Sequence, residues 1–226
     1  MSNLIYNNQS ATINLPHNRY IDKLLRSDSF EILWKRFIKT KSPTKELSES
    51  YAAFSNLKKV CMVRDYRWLH IGDGAHTRTA SIFALFSKSI NYSIDPKINI
   101  DSFTDWNEKY NISNLYAVKQ KFENFELDFN QPYGISCVHA HVSLEEVDKK
   151  FPHWNILYTN PCCFPLTQTF SNKYMMENGI RKIVDKIDLG IVSHKRQVVI
   201  YQKDNRINLS KYYLDCNGML INTDLI

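Results

Sequence analysis

Gly72-Asp73-Gly74 is the stretch of this sequence best suited to holding a ligand. An apolar run, Trp68-Leu69-His70-Ile71, leads into it, and the helix-like run Thr79 to Phe86 leads away. A second short segment, Tyr92-Ser93-Ile94, then closes on Asp95-Pro96. A strand, a glycine turn, a helix and a strand ending in a carboxylate make a mononucleotide-type βαβ unit. Glycines let the backbone approach a ligand closely, and the opening turn of the helix offers N–H groups with no partner inside it. Asp95 stands where such units place the group that holds ribose hydroxyls. Two other nucleotide motifs fit less well. Position 77 is Thr where a dinucleotide fingerprint needs Gly, and no Gly-Lys-Ser/Thr triplet closes a P-loop. Thr77, Arg78 and Thr79 at a helix start would nonetheless suit an anion.

Other residues could move protons or bind polar groups. His139 and His141 end a predicted strand, Gly134 to His141. Residues two apart on a strand share a face, so the imidazoles can converge as general bases. No acidic partner for them is identifiable in the sequence. Asn160-Pro161-Cys162-Cys163-Phe164 leaves the carboxyl end of the next strand, where open α/β sheets place ligands. The paired cysteines supply only two ligands, too few for a metal site, and none is expected.

A third group is basic. Phe30, Leu33, Trp34, Phe37 and Ile38 recur with helical spacing, and Lys35, Arg36, Lys39, Lys41 and Lys45 lie on or just beyond that helix. Such a cluster is either a solvated face or a phosphate-contacting surface for nucleic acid. The net charge of +6 permits a polyanionic partner.

At Gly72-Asp73-Gly74 and Asp95 the sequence resembles the class I S-adenosylmethionine-dependent methyltransferases. Their first motif reads acidic-x-Gly-x-Gly, and their second strand ends in an acid. His70 stands where that family usually has Asp or Glu, and His76 where a third glycine is common. The resemblance implies S-adenosylmethionine held by His70, Gly72, Asp73, Gly74, His76, Thr77 and Asp95, with the ribose on Asp95. The stretch from Asn160 to Phe164 resembles the Asn-Pro-Pro-aromatic motif of amino-group methyltransferases, whose Asn accepts hydrogen bonds from the target amine. Here Cys162 replaces a proline, and the motif follows the fifth predicted strand rather than the fourth. His139 and His141 occupy the usual position of a catalytic acid in this fold. The Lys-Asp-Lys-Glu tetrad of cap 2′-O-methyltransferases has no counterpart, because no Asp follows the fourth strand. The implied activity is methyl transfer to nucleic acid, RNA ahead of DNA, with His139, His141 and Asn160 as catalytic residues. The alternative is a catalytically inactive Rossmann-like module that binds a protein or nucleic-acid partner.

These residues need a scaffold, and alternating strands and helices imply a mostly parallel sheet covered on both faces. The expected fold is α/β and Rossmann-like, of methyltransferase type, with a sheet of six or seven strands over residues 60–226. An N-terminal helical extension occupies residues 1–59, its second helix starting at Ser42-Pro43. Later elements are strands over Leu115 to Val118 and Asn155 to Thr159, and a helix over Lys173 to Lys186. A closing hairpin pairs Leu189 to Ser193 with Gln197 to Gln202. A hydrophobic content of 43% fits a folded chain. No apolar run approaches the roughly 18–20 residues of a membrane span, and the start of the chain lacks a signal-peptide pattern. Five cysteines without framework spacing suggest a reducing cytoplasmic or nuclear compartment and no membrane association.

Overall fold

The structure, a computed structural model, describes residues 18–126, 131–161 and 167–203. It also gives the backbone pairings of Asn3–Tyr6 with Gln9–Thr12 and of Tyr212–Leu214 with Leu220–Asn222. Cys162, Cys163 and Phe164 lie outside the described residues.

Seven strands form the main sheet: β1 (Arg67–Ile71), β2 (Asn91–Ile94), β3 (Leu115–Val118), β4 (Tyr133–Val138), β5 (Ile156–Asn160), β6 (Ile180–Ile187) and β7 (Gln197–Lys203). Their order is β3-β2-β1-β4-β5-β7-β6. The first five are parallel, and β7 runs antiparallel between β5 and β6. The order reverses between β1 and β4, and ligands of open α/β sheets bind outside the carboxyl ends at such a point.

Among the described residues, seven α-helices flank the sheet: α1 (Arg19–Leu25), α2 (Phe30–Phe37), α3 (Pro43–Leu57), α4 (Arg78–Phe86), α5 (Ile100–Lys109), α6 (Leu144–Lys150) and α7 (Asn172–Glu177). The strands alternate as a pleat requires. Trp68, Val138, Tyr158 and Ile200 face one core with Leu24, Phe37, Leu47, Leu57 and Phe83 from α1–α4. Leu69, Ile71, Ile135, Leu157 and Val199 face a second core with Leu144, Val147, Phe151 and Trp154. The helices ahead of the first strand therefore cover one face of the sheet and share its core. Helix α3 starts on Pro43, whose missing N–H costs nothing in a first turn. Small residues (Ser48, Ser50, Ala52, Ala53) let it sit buried between its neighbours.

The carboxyl-terminal end departs from expectation. The helix expected through Lys186 stops at Glu177, Gly179 takes a left-handed φ of +62°, and β6 follows. Ile180, Ile183, Val184 and Ile187 have helical spacing, which is what misleads. The pairing of β6 with β7 slips between Lys182 and Val184, leaving Ile183 as an extra residue. Ile180 therefore packs into the second core and Val184 against the first. The strand expected over Leu189 to Ser193 is a turn, because the buried carboxylate of Asp188 draws in the N–H of Gly190 at 2.9 Å. Among the described residues no helix is long and apolar enough to cross a membrane.

Candidate functional site

The glycine turn leaves the carboxyl end of β1 in left-handed backbone, with φ of +68° at Gly72 and +76° at Gly74. A methyl group at Gly72 would lie 2.8 Å from Ala140 Cβ, and one at Gly74 2.8 Å from the Arg78 guanidinium. No larger residue fits either position without displacement.

Asp73 points inward. Its Oδ1 accepts the N–H of Thr79 at 2.7 Å, and its Oδ2 accepts Ala80 N–H at 3.1 Å and the Ser93 hydroxyl at 2.9 Å. The carboxylate thus caps α4 and ties it to β2. His70 is also interior, with Nδ1 2.7 Å from Ser136 Oγ and Nε2 3.2 Å from Asn91 Oδ1. Burial pushes its pKa down, so the ring is neutral near pH 7.

The turn borders a cleft of about 480 Å³, within the usual range for small ligands. Gly72, Gly74, Arg78, Asp95, His139 and His141 are among its lining residues; His70, Asp73, His76 and Thr77 are not. Asp95 Oδ2 accepts the N–H of Gly74 at 3.0 Å, and Oδ1 that of Lys97 at 2.7 Å. Each oxygen keeps a second lone pair for a hydroxyl donor. Arg78 lies across Gly74 and pairs with Glu46 of α3 at 2.8 Å. Burial works against its charge, but Glu46 and Asp73 outweigh that and raise its pKa.

The expected strand through His141 ends at Val138. His139 takes a left-handed φ of +51°, so strand periodicity does not align the two imidazoles. Both nevertheless line the cleft. The acid missing from the sequence reading comes from α3: Glu49 Oε1 lies 2.9 Å from His139 Nε2. Its only sequence signal is an acid on the buried stripe between Leu47 and Tyr51. The His139 N–H donates to the Asn160 carbonyl at 3.3 Å. Asn160 Nδ2 donates to the carbonyls of Lys195 at 3.2 Å and Gln197 at 2.6 Å, which fixes the amide. Its Oδ1 is buried with no hydrogen-bond partner.

The five basic residues do not form one face, and Arg36 requires a correction. It is buried and donates to the carbonyls of His76 at 2.7 Å and Ser102 at 2.9 Å, and to Thr77 Oγ1 at 2.8 Å. Its guanidinium also sits 5.3 Å from the Trp106 ring centre. Burial pushes its pKa down to about 10, and it joins α2 to the α4 turn and α5 rather than meeting a phosphate. His76 and Thr77 are engaged by this clamp, and burial together with Arg36 and Arg78 lowers the His76 pKa. Lys35 pairs with Glu31 at 2.7 Å, and Lys45 lies 3.9 Å from Glu49. Lys39 and Lys41 are exposed. Among the described residues no group of three or more metal-ligating side chains occurs.

No protein-family model and no curated protein matches the chain. Solved structures do. Magnesium protoporphyrin IX methyltransferase from Synechocystis PCC 6803, with bound S-adenosylhomocysteine, matches at a TM-score of 0.50 and 12% identity. The match covers 81% of this chain and 98% of that one. The same enzyme with S-adenosylmethionine gives 0.50 and 13%, over 85% and 100% of the two chains. An S-adenosylmethionine-dependent methyltransferase from Leishmania major gives 0.50 and 13%, over 81% and 82%. The strand order and these matches define the class I methyltransferase Rossmann-like fold.

Proposed function

We propose that this chain is an S-adenosylmethionine-dependent methyltransferase that acts on nucleic acid, RNA ahead of DNA. The observation that carries the cofactor reading is Asp95 at the carboxyl end of β2, beside two left-handed glycines and an open cleft. Gly72 and Gly74 would let the cofactor lie against the backbone, and the spare lone pairs of Asp95 would take the ribose hydroxyls. Arg78 lines the cleft but is ion-paired with Glu46, so it would have to share its charge with a ligand carboxylate. When bound, S-adenosylmethionine supplies a methyl group activated by a sulfonium sulfur. Asn160 is fully buried and does not line the cleft, so its Oδ1 could accept a substrate N–H only after it is uncovered.

Calorimetry tests the cofactor. Folded, ligand-free wild type should bind S-adenosylmethionine, and Asp95→Ala should weaken binding roughly 30- to 100-fold, as expected for losing a charged hydrogen-bond partner. No heat from the wild type would leave the inactive Rossmann-like module as the reading.

The net charge of +6 and the exposed Lys39 and Lys41 support the nucleic-acid partner. Replacing both lysines with Ala should weaken binding almost equally for unrelated RNA sequences. It should also lower the slope of log affinity against log salt by about 1–1.5. An unchanged slope would return both lysines to an ordinary solvated surface.

A further inference from the structure

His139 is held where few side chains go. Among the described residues only Thr77, Asn111 and His139 are non-glycine residues with positive φ. Such backbone persists where the surroundings demand it, and functional sites are frequent among those places. The side chain of His139 is 15% exposed, and that of Glu49 is 4% exposed. A carboxylate this deep in a helix is costly without a charged or hydrogen-bonding partner. The His139 ring, 2.9 Å away on the cleft wall, meets that need as an ion-pair partner once it is protonated; without that proton, neither Glu49 Oε1 nor His139 Nε2 has a hydrogen-bond partner among the described residues.

We infer that Glu49 and His139 form a proton-accepting pair on the methyl-acceptor side of the cleft, with Glu49 as the positioning residue and His139 as the base. The inference rests on the methyltransferase reading. Nε2 lies within ion-pair distance of Glu49, and if the neutral ring keeps its proton on Nε2, Nδ1 is the atom that would receive a proton. An acceptor atom X uses its lone pair to form the X–C bond, and the C–S pair remains on sulfur. The X–H pair returns to X as the proton passes to His139, where Glu49 stabilises the imidazolium. The acceptor class is therefore an N–H or O–H group that sheds its proton on methylation. A thioether or tertiary amine has no use for the pair.

Other charges face it. Lys45 of α3 lies 3.9 Å from the same Glu49 oxygen. Arg78 of α4 is neutralised by Glu46, and Tyr158 of β5 faces Glu49 with its hydroxyl kept protonated by burial. His141, Asp95, Lys97, Lys121 and Glu123 share the cleft. Glu49 is the acid in direct contact with the ring and should dominate.

The full-length protein with isotope-labelled histidine gives the test by NMR titration, His139 being assigned from the signal lost in His139→Gln. Glu49→Gln keeps an oxygen that can accept from Nε2, so the fold should hold. Its His139 midpoint should fall by about one pH unit or more. S-adenosylhomocysteine should bind wild type and Glu49→Gln equally by calorimetry. Labelled methyl transfer to total RNA should fall about tenfold or more in Glu49→Gln, and the acid limb of its pH profile should move to lower pH with the His139 midpoint. An unmoved midpoint, or an unchanged transfer rate, overturns the pair. If wild type fails to bind the cofactor product, the methyltransferase reading fails, and this base assignment falls with it whatever the titration shows. If the wild type binds that product but labels no RNA, only the nucleic-acid reading fails, and the titration decides the pair.

Discussion

Replacing Asp73 with Ala should lower the stability of the protein by about 3–5 kcal/mol, since it removes a helix cap and strands buried donors that cost about 1–3 kcal/mol each. Three donors converge on this carboxylate: Thr79 N–H, Ala80 N–H and the Ser93 hydroxyl. None has a route to water, because Asp73, Thr79, Ala80 and Ser93 are all buried. A loss of this size is a large part of the roughly 5–15 kcal/mol that hold a domain together. Urea denaturation should show a lower midpoint with an unchanged slope. Asp73→Asn keeps one acceptor oxygen and should lose about half as much. If Asp73→Ala unfolds at the wild-type midpoint, the residue is not the cap described, and a role facing the ligand would regain its place.

Asp188→Ala should be comparably damaging, at about 3–5 kcal/mol, the range for removing one partner of a buried charged network. Its side chain accepts from the Tyr20 hydroxyl at 2.5 Å, Asn56 Nδ2 at 2.7 Å and Gly190 N–H at 2.9 Å, and it pairs with Arg19. It thereby joins α1, α3 and the turn between β6 and β7. Burial alone would raise the Asp188 pKa, but the hydrogen bonds from Tyr20, Asn56 and Gly190, with Arg19, outweigh it and hold the value below normal. Burial and Asp188 in turn push Tyr20 up to about 12. A carboxylate with a depressed folded-state pKa stabilises fully above its unfolded value and loses that contribution as pH falls through the folded one. The wild type should therefore lose this contribution only below about pH 4. Asp188→Ala should be less stable at neutral pH and show a shallower decline in acid. Equal acid limbs in the two proteins would refute the network's part in stability.

The half of the sheet that carries the glycine turn was legible because local and tertiary signals agree there. Trp68 to Ile71 is a short, mostly apolar run buried on both faces, as a central parallel strand is, and Asp95 directly follows its own strand. Legibility fails where a partner far along the chain decides. Ile180 to Ile187 reads as a helix until β7 imposes the slipped pairing. Arg36 looks like its neighbours Lys35 and Lys39, and only Ser102 and Trp106 of α5 show that it is interior. Asp73 carries a ligand-type signature, yet the first-turn N–H groups of α4 claim it. Glu49 could not be assigned to His139 without knowing that α3 packs against β4 and β5.

The placement of α1–α3 has a consequence for how the chain is made. These helices leave the ribosome before the strands they cover, which run from β1 to β7, and Tyr20 waits 168 residues for Asp188. Synthesis proceeds at about 5–20 residues per second, so the core on α1–α3 stays incomplete for roughly ten seconds or longer. Trp68 and Phe83 join it early in that interval, whereas Tyr158 and Ile200 come late. Contacts of such sequence separation also form slowly. The segment that places Glu49 behind His139 is thus made before the strands it packs on and is secured only when they arrive.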